Sequence, residues 1–241
     1  MTAPTSTQYA AQPFRQHLAQ MRSQRGWRQG EHILIAGPTS AGKTTLASKL
    51  LPLRSHTVML VTKLDDPVFA AEFKDWTRLY AWPKGGPPSY ERRVLLWPKP
   101  GKTLAATREV QRQVMADALD AIATQGKRTV CVDECIYMAD PKFLNLGSEL
   151  GMMHYFGRSA GITMLTLAQR PAWVPKIIYS SVTHAYVART RDKDDAKRLA
   201  DFGGLDAREL AANAAVLPDR HDYVYVNPQG DAPPAVVNTR R

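Results

Sequence analysis

Cysteine is scarce in this 241-residue chain: Cys131 and Cys135 are the only two. Thiols four positions apart are too few and too close to build a disulfide framework, and no second Cys or His pair completes a zinc site. They read as reduced and structural. Long apolar runs are missing too. No stretch approaches the ~20 residues that a membrane-spanning helix needs. The opening "MTAPTSTQYAAQPFRQ" has no apolar core of the length a secretory signal requires. The expectation is a cytoplasmic protein with no membrane span; if it is viral, it works in the host cytoplasm or associated with the virion. Acid is the third shortage. Lys and Arg number 32 against 22 Asp and Glu, a net charge of +10 with a pI near 9.7. Residues 1–30 carry Arg15, Arg22, Arg25 and Arg28 and no acid at all. Such a surplus speaks of partners rather than fold, and polyanions, nucleic acid first, are the candidates.

What is present is enough for one large domain: 44% of residues are hydrophobic, a globular composition. Residues 1–30 are expected to be a basic extension, disordered at first and helical from about 14 to 27. Residues 31–204 alternate strand and helix patterns. Buried strands are expected at 31–37, 56–62, 90–98, 128–134, 162–168 and 182–189. Helices are expected at 42–51, 66–76, 103–125, 148–161 and 193–204, the last with a Gly-Gly stop. In the long helix, Val110, Val114, Ala118 and Ile122 recur at four-residue steps and are expected to face the core. Residues 205–241 read as a helix and a β-hairpin around Pro-Gln-Gly-Asp that close the same domain. The fold class that follows is α/β, a mostly parallel sheet covered by helices on both faces.

"GPTSAGKT", Gly37 to Thr44, matches G-x-x-x-x-G-K-[ST] in full, with an apolar strand before it and a helix after it. In this P-loop the backbone of Gly37, Pro38, Thr39, Ser40, Ala41 and Gly42 wraps phosphate. Lys43 reaches the β- and γ-phosphates, and the Thr44 hydroxyl helps hold Mg²⁺, with Thr45 beside it. The helix N-terminus adds partial positive charge. ATP and Mg²⁺ are therefore the expected ligands. A P-loop needs an acidic strand end nearby, and "TVCVDE" supplies Asp133 for the metal and Glu134 to polarise the attacking water. Two strand candidates, 56–62 and 90–98, lie in sequence between Lys43 and Asp133, and an extra strand between P-loop and acidic strands marks the RecA-like (ASCE) branch of P-loop NTPases.

In that branch the strand after the acidic one ends in a polar residue that senses the γ-phosphate, and Gln169 ends the matching strand. With it, "GRSAGITMLTLAQRP" resembles the FtsK–HerA superfamily of DNA-pumping ATPases, in which an R-x-x-G turn leads to a strand ending Q-R-P. "VTKLDD" is similar to the family's pattern as well. The resemblance covers roughly 31–200 and implies roles for single residues. Gln169 becomes the γ-phosphate sensor. Arg158 becomes a finger that reaches a neighbouring subunit's ATP and stabilises the transition state there; Arg170, Arg189 and Arg191 are its rivals. The resemblance also implies a homo-oligomeric ring, a hexamer in the family, with double-stranded DNA as cargo. Among family members, a bare motor domain of this size resembles viral genome-packaging ATPases, which a portal or other docking protein would anchor. Residues 78–102 interleave Arg78, Lys84, Arg92, Arg93, Lys99 and Lys102 with Tyr80, Trp82, Tyr90 and Trp97 around a Gly-Gly-Pro-Pro tip. That composition suits contact with nucleic-acid phosphates and equally suits a surface loop beside a core strand. The alternative to a motor is an ATP-binding switch or assembly factor in secretion or morphogenesis that moves no DNA.

Overall fold

A computed structural model describes residues 8–87, 91–199, 202 and 206–240. Tyr90, the second proline of the expected loop tip (Pro88), and the Gly203–Gly204 stop with the 204/205 boundary lie outside the described residues.

The apolar runs become strands because a parallel strand buried on both faces places every side chain in a core. β1 (Ala10–Gln12), β2 (His32–Ala36), β3 (Thr57–Leu60), β4 (Thr77–Leu79), β5 (Arg93–Leu96), β6 (Thr129–Val132), β7 (Thr163–Ala168), β8 (Val182–Ala188), β9 (Asp222–Val226) and β10 (Ala235–Asn238) join in one sheet. Its order is β1-β10-β9-β8-β2-β7-β6-β3-β5-β4. Pairings from β8 across to β4 are parallel, and β9 runs antiparallel to both β8 and β10. Successive side chains alternate between two cores. Leu34, Val58, Val130 and Val187 point to one, which α4 (Leu104–Gln125) and α6 (Gly147–Ala160) cover. Ile33, Ile35, Met59 and Cys131 point to the other, covered by α1 (Phe14–Arg22), α2 (Lys43–Leu50) and α3 (Pro67–Glu72). Smaller helices α5 (Cys135–Ala139), α7 (Lys176–Ser181), α8 (Lys193–Arg198) and α9 (Ala207–Ala215) complete the layers. Both cysteines are free and fully buried. Among the described residues no helix is long and apolar enough to cross a membrane.

Several expectations change. Residues 10–27 are not an appendage to the core. β1 pairs with β10, and Phe14, Met21 and Trp27 are buried in the second core. Three large apolar side chains at about 1.5–3 kcal/mol each outweigh the basic, polar composition that suggested an extension. The helix expected over 66–76 ends at Glu72, and the chain turns to add β4 at the sheet's edge. Its start is set locally: Asp66 accepts from the Phe69 N–H and Pro67 opens the first turn. The buried side of α4 is Thr107, Gln111, Met115, Ala118, Leu119 and Ile122, while Val110 is exposed. Four-residue steps drift around a 3.6-residue helix. Gln111 also belongs inside because it donates to the Thr62 carbonyl at 2.8 Å and accepts from the Tyr137 hydroxyl at 3.0 Å. Finally, the strand between the P-loop strand β2 and the acidic strand β6 is β7; β3 and β5 lie beyond β6.

Candidate nucleotide-binding site

The P-loop leaves β2 at Ala36 and enters α2 at Lys43. Its first amide, Gly37 N–H, donates to the Ala168 carbonyl at 3.0 Å, which ties the loop to the end of β7. Gly42 caps α2 at φ 83°, a left-handed conformation that disfavours a side chain. A Cβ there would also lie 2.4 Å from His221 Nδ1. Ser40 is left-handed too, at φ 66°. Tyr223 buttresses the loop from β9 by donating its hydroxyl to the Ala41 carbonyl at 2.7 Å. Lys43 folds back over the loop it serves, donating to the Gly37 and Pro38 carbonyls at 2.8 and 2.9 Å. Burial lowers its pKa, against the pull of Glu134 and Asp133.

Parallel pairing of β2 with β7, and of β7 with β6, brings three strand ends to one edge. Asp133 follows β6 and is 6% exposed; burial raises its carboxyl to about 6, with Lys63 and Lys43 opposing the rise. Burial raises Glu134 as well, while Lys43 and the Gln169 side chain favour its charged form. Gln169 Oε1 also lies 3.4 Å from the Thr39 hydroxyl. Asp133 Oδ2 and Glu134 Oε1 are buried without a hydrogen-bond partner in the protein. An orphaned buried carboxylate oxygen costs about 1–3 kcal/mol or more, so two of them at one cleft mark a place where a ligand completes the bonding. The cleft measures about 680 Å³ and is lined by Thr39, Ser40, Gly42, Lys43, Thr44 and Thr45 with Asp133, Glu134 and Gln169.

The same cleft is lined by Lys63, Arg220 and His221, which motif reading did not single out as site residues. Lys63 ends "VTKLDD", pairs with Asp66 at 2.7 Å and lies over the Phe69 ring. His221 is 5% exposed, and neither ring nitrogen has a partner. It arrives through antiparallel pairing: Tyr223 is opposite Ala188, so the start of β9 stands at the edge where β8 ends. A lone lysine after a strand and a histidine in the final turn carry no spacing signal that would have found them.

Arg158 lies elsewhere. It is exposed in the last turn of α6, and its charge lowers the pKa of His32, at the beginning of β2. The P-loop starts where β2 ends, roughly 15 Å away at ~3.3 Å per residue. Arg158 therefore cannot serve its own chain's P-loop. Among the described residues it makes no ion pair. Of its rivals, Arg170 is committed to Asp192 at 2.9 Å and Asp195 at 3.0 Å. Asp195 also accepts from Ala172 N–H at 2.9 Å, and Pro171 opens a short 3₁₀ turn. The Arg-Pro after Gln169 thus latches the strand end to α8. Arg189 donates to the Leu217 carbonyl at 3.4 Å, and Arg191 is exposed.

This architecture is that of P-loop ATPases. The DNA-packaging ATPase B204 of Sulfolobus turreted icosahedral virus aligns with a TM-score of 0.60 at 14% identity, over 87% of this chain and 97% of that one. The genome-packaging NTPase B204 of Sulfolobus turreted icosahedral virus 2, in complex with AMPPCP, gives 0.59 at 13% identity, over 86% and 97%. The conjugation coupling protein TcpA of pCW3, with ATPγS, gives 0.54 at 13% identity, over 86% of this chain and 59% of that one. No protein-family profile and no curated protein matches the sequence.

Proposed function

We propose that this chain is an ATP hydrolase that drives double-stranded DNA, acting as a homo-oligomeric ring of the genome-packaging kind, six subunits by the resemblance. The observation that carries the chemistry is the convergence of Lys43, Asp133, Glu134 and Gln169 on one cleft, with carboxylate oxygens left unpartnered. The Thr44 hydroxyl and the Asp133 carboxylate would hold magnesium. They are hard oxygen donors, and the orphaned Asp133 Oδ2 fits such an ion or a water bound to it. Among the described residues no group of three or more His, Cys, Asp or Glu gathers for a metal, which suits an ion that takes its other ligands from phosphate and water. When bound, magnesium supplies charge neutralisation at the β- and γ-phosphates. Glu134 takes a proton from the water that attacks the γ-phosphorus, the bond to the β–γ bridging oxygen breaks, and ADP and phosphate leave. Gln169 stands at the γ-phosphate as its sensor. Arg158, remote from its own P-loop, is assigned to the neighbouring subunit's.

The DNA half of the proposal rests on the +10 charge, on the basic segment 78–102 and on the packaging activity that the B204 titles name. Part of that segment is structural. Trp97 is buried, and the Arg78 guanidinium lies 3.9 Å from its ring centroid. Exposed Lys84, Arg92, Arg93, Lys99 and Lys102 remain for phosphate. A portal or similar docking protein would hold the ring still against the DNA. Steady-state ATPase rates with and without duplex DNA, with DNA binding measured across salt, test the proposal. Stimulation and sequence-independent binding that weakens steeply with salt are expected. No binding at about 50 mM salt, with an ATP analogue present, would point instead to a switch or assembly role, and the likeness to a secretion ATPase, EccC of Thermomonospora curvata, keeps that reading in view.

A further inference from the structure

Helix α6 is apolar on two opposite sides. Leu150, Met153, His154 and Gly157 are buried against the sheet. Met152, Tyr155 and Phe156, at three- and four-residue spacing, form a second stripe on the outward side, exposed by 59%, 70% and 55%. The Tyr155 and Phe156 rings pack edge to face at 4.9 Å, so the stripe is an ordered surface. At 150–250 Å² per aromatic side chain, those two rings alone expose roughly 200–300 Å². A helix apolar all round is a helix meant to be covered.

A second apolar patch sits at the mouth of the nucleotide cleft. Leu64 is 49% exposed and Val68, which lines the cleft, is 81% exposed. The two patches belong to opposite layers. α6 packs into the core with Leu34 and Val130, whereas α3, which carries Val68, packs through Phe69 into the core with Ile33 and Met59. They cannot meet within one chain. Their surroundings differ in charge. Beside the cleft patch stand exposed Asp65, Glu72 and Asp75 with one exposed lysine, Lys74, a marked acidic excess for a +10 chain. Beside the α6 stripe stand exposed Arg158 and, at the start of α7, Lys176.

We infer that the Met152/Tyr155/Phe156 stripe of one chain docks on the Leu64/Val68 rim of a second copy, and so closes that copy's nucleotide cleft. The contact joins two different surfaces, so it repeats head to tail and closes into a ring. The stripe supplies the apolar centre of an interface of about 800 Å² per partner, and the acid–base difference supplies its rim. The inference rests on the ring proposed above and names the surfaces that build it.

The test uses engineered cysteines, because Cys131 and Cys135 are fully buried and silent to a surface oxidant. Phe156→Cys and Val68→Cys proteins are mixed with magnesium and a non-hydrolysable ATP analogue, then oxidised. The mixture is expected to give a disulfide-linked dimer that neither protein gives alone, and the double variant a ladder of oligomers. Separately, Tyr155→Glu and Phe156→Glu should raise the concentration needed for assembly by about tenfold or more, with thermal stability unchanged. A cross-link formed by Phe156→Cys alone would overturn the inference in favour of two-fold pairing. A ring that forms normally with Phe156→Glu, and without the mixed cross-link, would overturn it while leaving the ring intact. A wild-type chain that stays monomeric with the analogue would overturn ring and interface together.

Discussion

Two groups of buried polar side chains in this molecule differ in one respect. Around Glu31, His32 and His184, every polar atom is answered. His32 accepts from the Met164 N–H at 3.0 Å and donates to the His154 carbonyl at 3.1 Å. His154 bonds Ser181 and Thr166, His184 bonds Tyr225 and Glu31, and His17 bonds Tyr186 and Gln12. At the P-loop edge, Asp133, Glu134 and His221 keep atoms with no partner. Both groups are rich in titratable residues, so titratable residues alone do not mark a site. Satisfied polar groups hold a fold together, and unsatisfied ones await a ligand.

The sharpest break of that comparison is chemical. Lys43→Ala should lower ATP-analogue affinity by at least a hundredfold while leaving the denaturation midpoint in place. Glu134→Gln should bind nucleotide normally and lose about 10²–10⁴ in turnover, since an amide is no base. Fluorescent-nucleotide titration and steady-state kinetics read the two. Near wild-type turnover in Glu134→Gln would remove that carboxylate from catalysis.

The histidine group should answer in the opposite currency. His154→Ala strands Ser181 and Thr166 and opens a buried void, and should cost about 2–4 kcal/mol in chemical denaturation. Nucleotide affinity of the folded protein should not change. His221→Ala strands no partner and should cost under about 1 kcal/mol. Equal losses for the two would dissolve the distinction.

A smaller effect comes from pH. Burial lowers His17 and His32 to about 4 and holds His154 well below its usual value. The unfolded chain takes up these protons near pH 6.5 and the folded one only lower, so their contribution to stability is lost as pH falls from about 6.5 toward 4. Asp133, raised by burial to about 6, acts oppositely: its folded form binds the proton more tightly, which favours the fold as pH falls toward 4. Three histidines against one carboxylate make the net expectation a loss of stability on acidification. Denaturation midpoints between pH 7 and 4.5 measure it, and a flat profile would contradict the buried neutral imidazoles.

Much of the phosphate edge was legible because its determinants are local. Gly37 to Thr44 announce strand, loop and helix in one stretch, and Asp133-Glu134 and Gln169 close apolar runs whose parallel pairing carries them to the same edge. What sequence hid is non-local. Tyr223, Arg220 and His221 reach the P-loop only because β9 turns antiparallel beside β8. The N-terminal segment enters the core through Phe14, Met21 and Trp27, widely spaced residues in a polar stretch. Gln111 defeats periodicity because its two hydrogen bonds, not its polarity, decide where it lies.

The order of the strands also sets a timetable. β2 pairs with β7 and β8, so Ile33 waits for Leu165 and His184 before it is flanked. At ribosomal speeds of 5–20 residues per second, that wait is on the order of ten seconds. β1 waits longer still, since Ala10 pairs with Ala235. A chain built from such distant pairings folds slowly and leaves its most apolar strand uncovered during synthesis. Loss of the short segment Ala235–Asn238 would remove the strand on which β1 closes.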